Sequence, residues 1–507
     1  MEKSHFFHKE ELIRILESVL NKRLGEIDKN NVFARTIEHP KITGIAGDVI
    51  EQSVLGYPAD QDQRPDLNVD GILVELKTTG IRETGRGKNR QIVAKEPASI
   101  TAVSLDKIAS EEFGNSAFYH KIENLLFVFY HYDSNVTVRA AAYADFFIRG
   151  YLFYQFSEDN MIIIQKDWQK IHDFVAEVQA TYSEEEAKKY YPNLSTKINK
   201  ELVFLDTAPK YPHAPRIRLR KRVVTLIVQE KFGKNLEPLP DKYYEYKDVV
   251  DKCKVITEIH KNKSMADILG MYNIDVDLTK KYKIKQFAEL AIVKMFGGKS
   301  KKMSKISLFE SFGIVGKSIS ITSNETRTED MKLFAVDFDE VIEKEIEDEE
   351  TSEIRERNFE DSVLYNYLMD NKLLCVVFRE DMADKDGNID LRENKFLGFK
   401  MIDLRLPELI ESAKNTWKIL RDLIINKKLK DVPVRLKNGK IRITPKTRIQ
   451  MTAPNFPKAE DNIVFLRGSG KDATKKTQEV NGIKMLKQYY WIKGSYIVDK
   501  LKETDYL

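Results

Sequence analysis

Glu75 and Lys77 lie two residues apart in the run Ile72-Leu73-Val74-Glu75-Leu76-Lys77-Thr78-Thr79. In a strand, that spacing puts both side chains on one face and Leu76 on the other. A stretch as apolar as Ile72-Leu73-Val74 has little reason to carry two charges unless they are used or paired. Asp66 stands upstream, after Pro65, where a turn and a neighbouring strand bring its carboxylate beside Glu75. Two carboxylates and a backbone carbonyl, such as that of Leu76, offer hard oxygen ligands to Mg2+ and leave positions for water and phosphate. The ion would polarise a phosphate and lower the pKa of its water. The Lys77 ammonium would orient the nucleophile and stabilise charge developing on phosphorus. This is the chemistry of phosphodiester hydrolysis. The alternative for the same residues is a structural ion pair.

Asp62 and Asp70 compete with Asp66 for the first carboxylate role. Asp70-Gly71 is a turn dipeptide, which accounts for Asp70 structurally. Glu186-Ala187-Lys188 repeats the Glu-x-Lys spacing in a polar helix. Asp241 with Glu245-Tyr246-Lys247 repeats it in polar surroundings, with too short a gap. The segment from Asp384 to Glu393 imitates a calcium loop, but Met382 holds its first ligand position and an apolar, strand-like run precedes it, so a hairpin turn is expected. Arg467-Gly468-Ser469-Gly470-Lys471 lacks the glycine spacing and the following Ser or Thr of a Walker A loop.

The elements that would position these residues are legible from periodicity. Helices are expected over 9–24, 47–55 and 167–180, and strands over 71–79, 125–130, 161–164 and 202–205. Several signatures then recur in order. Leu125-Leu126-Phe127-Val128-Phe129 is echoed by Leu373-Leu374-Cys375-Val376-Val377, and Val203-Phe204-Leu205 by Val464-Phe465-Leu466. Two of the 3 tryptophans, Trp168 and Trp417, sit in comparable helices. Duplication followed by loop insertion gives this pattern. The expected domains are 1–232 and 261–507, joined by a connecting segment over 233–260 that is polar and proline-bearing at its start. The acidic stretch 343–358 is expected to be a helix or loop inserted in the second copy.

The 507 residues suffice for two or three domains. No apolar run approaches bilayer length. No secretory signal is expected from the opening residues, and 2 cysteines exclude both a disulfide framework and a cysteine-built zinc site. An intracellular, cytoplasmic protein without membrane contact is expected. The net charge of +4 permits nucleic-acid binding without demanding it. Basic residues cluster at Arg216, Arg218, Arg220, Lys221 and Arg222, and again at Lys299, Lys301, Lys302 and Lys305.

The segment from Pro65 to Lys77 resembles the PD-(D/E)xK nuclease core, and in particular the MutH-like group, which includes a mismatch-repair nicking enzyme and two-copy restriction enzymes that cut at GATC. Gly47-Asp48-Val49-Ile50-Glu51 resembles the helix that supplies a further active-site glutamate, here Glu51. His120-Lys121-Ile122 resembles the position of a second lysine, here Lys121. Arg218-Leu219-Arg220-Lys221 followed by 223–228 resembles the C-terminal element of that fold, and the similarity runs on to Tyr490-Trp491-Ile492-Lys493. The gap between Asp66 and Glu75 is slightly longer than the pattern. The resemblance implies an α/β fold with a mixed sheet flanked by helices, present twice in tandem, the second copy catalytically degenerate. Val315 stands where Glu75 would, Lys317 matches Lys77, and Ile292 falls near the place of Glu51. It implies a Mg2+-dependent type II restriction endonuclease, with Mn2+ able to substitute. The catalytic residues would be Asp66, Glu75, Lys77, Glu51 and Lys121, with Asp66 and Glu75 on the metal. Double-stranded DNA would meet Arg216, Arg218, Arg220 and Lys221 in the first copy, and Arg467 and Lys471 in the second, which would bind a second DNA site as an effector. A cognate DNA methyltransferase in the same prokaryotic cell is a further implication.

Overall fold

The computed structural model describes residues 5–40, 42, 44–58, 64–84, 90–134, 138–233, 236–274, 284–322, 329–347, 354–380, 392–436, 438–443, 448–470 and 476–507. Asp62, Lys471 and the calcium-loop lookalike over 384–390 lie outside them.

The chain divides into two compact units. The first comprises Met1–Val249, Ile306–Gly313 and Glu347–Arg355, and the second Val250–Lys305, Ile314–Ile346 and Glu356–Leu507. The division at Val249 and Val250 falls inside the expected connector over 233–260, within helix Tyr246–His260. A local polar and proline-bearing stretch marks a break in structure, but not which elements pack together.

In the first unit the strands are β1 (Phe6–Phe7), β2 (Leu67–Val69), β3 (Ile72–Thr84), β4 (Gln91–Ala94), β5 (Ala98–Ala102), β6 (Leu125–His131), β7 (Phe147–Tyr154), β8 (Leu205–Ala208) and β9 (Arg216–Leu219). The main sheet is mixed, in the order β1-β2-β3-β6-β7, with β4 paired to β3. β3 and β6 run parallel, with Glu75 opposite Leu125 and Lys77 opposite Phe127. β6 is buried over its first six residues, as a central strand with both faces covered must be. Leu126, Val128, Leu76, Val49, Ile50 and Leu16 share one apolar cluster. Truncating Leu126 to Ala should cost about 2–5 kcal/mol. A second sheet has the order β5-β9-β8.

The expected strand over 161–164 is instead part of helix Glu158–Thr181, whose Ser157 cap accepts the Asn160 N–H at 3.3 Å. A short run of four apolar residues fits a buried helix as well as a strand, and the cap decides. The strand expected over 202–205 begins at Leu205. Residues 203–205 turn their N–H groups toward Asp167, buried in that helix. Its carboxylate accepts from Val203, Phe204 and Leu205 at 2.6–2.9 Å.

The second unit contains β10 (Ile314–Ile321), β11 (Met331–Ala335), β14 (Lys372–Arg379), β15 (Lys395–Asp403), β18 (Val464–Gly468) and β21 (Gln488–Ile492). Between them come the short pairs β12 (Glu345–Glu347) with β13 (Ile354–Glu356), β16 (Asp431–Pro433) with β17 (Thr452–Pro454), and β19 (Gln478–Val480) with β20 (Ile483–Met485). The acidic stretch expected as a helix or loop thus contains a strand pair.

Strand for strand, β10-β14-β15 has the senses of β3-β6-β7, parallel and then antiparallel. Both antiparallel pairs shift register at one point, just after Phe129 opposite Gly150 and just after Val377 opposite Gly398. The sheet β11-β21-β18 likewise has the order and senses of β5-β9-β8. Helix Ala117–Ile122 starts on Ser116, and helix Val363–Asp370 on Ser362. Trp168 meets Phe113 at 5.6 Å and Trp417 meets Phe359 at 6.1 Å between ring centroids.

Candidate active site

The β2–β3 hairpin turns through Asp70 and Gly71, at φ +50° and +88°. Two consecutive positive φ values are what a tight two-residue hairpin requires, and Asp-Gly supplies them cheaply. The Asp70 carboxylate accepts the Lys9 N–H at 3.0 Å and contacts His8 Nδ1 at 2.8 Å. It starts helix Lys9–Val19 and stands apart from the cluster around Glu75.

Across the hairpin, Leu67 pairs with Val74. That register brings Asp66 beside the middle of β3, and Asp66 Oδ2 accepts the Leu76 N–H at 2.8 Å. Burial first, and the Glu75 carboxylate second, raise the Asp66 carboxyl above its ordinary pKa, with Lys77, the Leu76 N–H and Lys121 opposing. A nearby like charge disfavours the charged form of a carboxyl.

Glu75 is 1% exposed. Its Oε1 receives both Lys77 Nζ at 2.7 Å and Lys121 Nζ at 3.1 Å. Its Oε2 is buried and lacks a hydrogen-bond partner among the described residues. Lys121 reaches the site from helix Ala117–Ile122, which leads directly into β6. The site therefore holds one engaged oxygen on each carboxylate, Asp66 Oδ2 and Glu75 Oε1, beside a second oxygen on each. That donor set suits a hard divalent cation. Among the described residues no group of three or more His, Cys, Asp or Glu side chains converges for a metal.

Glu51 lies in a wide helical turn, Val49–Leu55, whose Glu51 carbonyl accepts the Gly56 N–H at 2.7 Å. A Cβ added at Gly47 would stand 3.9 Å from both Glu51 Oε1 and Thr78 Oγ1, so the Glu51 carboxylate and β3 flank the same glycine. This puts Glu51 next to β3.

The basic residues divide by burial. Arg216 and Lys221 are exposed. Arg218 is mostly buried, 2.8 Å from Asp206. Arg220 is 6% exposed and donates to the Asn199 carbonyl at 2.6 Å. Contrary to the expectation from its charge cluster, Arg220 serves the fold: a buried guanidinium holding main-chain carbonyls is not available to a phosphate. In the second unit Arg467 is exposed and pairs with Asp330 at 2.7 Å.

The strand register in the second unit parallels that in the first. Val315 lies opposite Leu373 as Glu75 lies opposite Leu125. Lys317 then matches Lys77, but its Nζ donates to the Lys332 carbonyl at 3.0 Å. Counting from the caps Ser116 and Ser362, Tyr367 takes the place of Lys121. Val315 and Tyr367 both pack against the unit's apolar cluster.

Sequence reasoning from the residues alone missed His5, whose ring meets the Asp66 carbonyl at 2.7 Å. A single histidine far upstream carried no signal of that contact.

Residues 55–167 match the family described as DNA mismatch repair enzyme MutH. That span contains Asp66, Glu75, Lys77 and Lys121, while Glu51 falls just before it. The chain is also 23% identical over 495 residues to the type II restriction enzyme Sau3AI of Staphylococcus aureus, covering 90% of this chain and 92% of that protein. No helix among the described residues is long and apolar enough to cross a membrane. Part of the first unit is thus similar to the MutH family, and along nine-tenths of its length the chain is similar to a type II restriction enzyme.

Proposed function

We propose that this protein is a Mg2+-dependent type II restriction endonuclease that hydrolyses phosphodiester bonds in double-stranded DNA at GATC. The observation that carries the reading is the state of Glu75: one oxygen gripped by two lysines, the other buried without a hydrogen-bond partner among the described residues, beside the raised carboxyl of Asp66. A purely structural ion pair has no use for a second cation or for a buried, unsatisfied oxygen. Mg2+, for which Mn2+ can substitute, would be held by Asp66 and Glu75 and would supply charge neutralisation and an activated water. Lys77 and Lys121 hold Glu75 in place, and would present ammonium groups where charge develops on phosphorus. Glu51 supplies a further carboxylate at the edge of the site. Arg216 and Lys221 are the exposed cations of the first unit placed to meet DNA phosphates.

The two units are, on this reading, copies of one fold. Only the first cuts, because the second has Val315 and Tyr367 where a carboxylate and a lysine would be needed. The second unit binds a second DNA site, through Arg467 and neighbouring basic groups. In the cytoplasm of a prokaryote such an enzyme works beside a methyltransferase that protects host DNA. Digestion of a plasmid of known sequence with Mg2+, followed by sequencing of the fragment ends, tests the activity and the site together. The expected result is discrete fragments ending at GATC. Intact plasmid with both Mg2+ and Mn2+ would refute it.

The match to the mismatch-repair family favours one other reading, a site-specific nickase. A nicked circle that never becomes linear would decide for it.

A further inference from the structure

The residue just before β1, His5, contacts the segment that carries Asp66. His5 Nδ1 lies 2.7 Å from the Asp66 carbonyl oxygen, which can only accept, so Nδ1 carries the proton. The His5 carbonyl in turn accepts the Asn68 N–H at 2.9 Å. One residue thus clamps both sides of the 66–68 segment, and β1 continues the grip by pairing Phe6 with Asn68 and Phe7 with Val69. The ring also packs on Tyr57, with centroids 4.5 Å apart. Tyr57 follows the turn that bears Glu51, and its N–H reaches the Glu51 carbonyl at 3.2 Å. His5 therefore stands between the segment carrying Asp66 and the segment carrying Glu51.

We propose that His5 is a positioning residue for the metal carboxylate: its ring N–H fixes the peptide of Asp66, and through it the direction of the carboxylate toward Glu75. The inference rests on the reading of Asp66 as a metal ligand. Asp66 has two anchors, the Leu76 N–H on its side chain and His5 on its main chain. The first sets where Oδ2 sits, and the second sets the backbone from which the carboxylate hangs. Groups that orient a metal ligand typically matter about 10- to 100-fold in metal affinity when removed.

His5→Phe keeps a ring against Tyr57 and removes the donor. His5→Asn removes the ring and keeps an N–H at nearly the same reach. Full-length proteins are compared in two ways: the Mg2+ concentration for half-maximal cleavage, and the Mg2+-induced rise in melting temperature without DNA. Expected for His5→Phe is a half-maximal concentration raised about 10-fold or more, a matching displacement of the thermal titration, and an unchanged KM for DNA. His5→Asn should stay close to the wild-type protein in both. Wild-type Mg2+ dependence in His5→Phe would overturn the proposal, as would an equal loss in His5→Asn. Should His5→Phe fail to fold, the Mg2+ titration of His5→Asn decides alone. If the wild-type protein binds Mg2+ but cuts nothing, the endonuclease reading fails while the thermal titration still tests His5.

Discussion

Lys121 and Glu75, 46 residues apart in the chain, meet at 3.1 Å in the buried centre of the first unit. With Lys77 at 2.7 Å on the same oxygen, Glu75 balances two ammonium groups. Glu75→Ala should abolish cleavage. Lys77→Ala and Lys121→Ala should each lose at least about 10²-fold in rate under single-turnover conditions, the scale of a lost transition-state donor. Full cleavage by Glu75→Ala would end the assignment.

Mg2+ should stabilise the protein through the same two carboxylates. At a concentration 100 times its Kd, a ligand bound only to the folded state adds about 2.7 kcal/mol. Thermal melts should show that rise in the wild-type protein and its loss in Glu75→Gln, which preserves shape but not charge. EDTA should reverse it. An equal rise in Glu75→Gln would place the ion elsewhere.

Lys317 tests the division of labour between the units. It keeps the letter of Lys77 but spends its ammonium on the Lys332 carbonyl. Lys317→Ala should leave the chemical step of cleavage unchanged while Lys77→Ala impairs it. A comparable loss in both would mean that the second unit takes part in chemistry.

Arg216 and Arg220 should separate binding from folding. Arg216→Ala and Lys221→Ala should weaken DNA binding with little change in melting temperature. If each touches one phosphate, each should reduce the salt slope of binding by about 1. Arg220→Ala should lower the melting temperature instead, since hydrogen bonds from a charged group are worth about 1.5–3 kcal/mol. Salt titrations and thermal melts on the same three variants distinguish the two roles.

Asp167 is a staple of the first unit. Its buried carboxylate collects three successive N–H groups, from Val203 to Leu205. In the second unit the matching tie is made by hydroxyls, Thr416 Oγ1 donating to the Val464 carbonyl and Ser412 Oγ accepting the Val464 N–H. Asp167→Ala should cost about 1–3 kcal/mol for each donor left unpaired. A drop of at least about 4 °C in melting temperature follows for a unit of this size. Calorimetry checks it.

Much of this protein was legible before any fold was known, for definable reasons. Glu75-Leu76-Lys77 could be read because a strand has a period of two, so neighbours at that spacing must share a face. Asp70 could be set aside because Asp-Gly has a local use in a turn. The apolar run over 125–129 could be read as a buried strand and its echo over 373–377 is a strand too, but only the pairing of strands set Val315 opposite Leu373 as Glu75 is set opposite Leu125. Other features had no local signature. The helix over 161–164 depended on a serine cap outside the apolar run. Arg220 had the same letters as its exposed neighbours, and only packing decided that it faces carbonyls. Asp66, Lys121 and His5 reach Glu75 or one another across tens of residues. Residue type and spacing determined what chemistry was available on β3. The tertiary structure decided which distant groups share that strand, because side-chain contacts between separate segments are set by how sheets and helices pack rather than by any spacing along the chain.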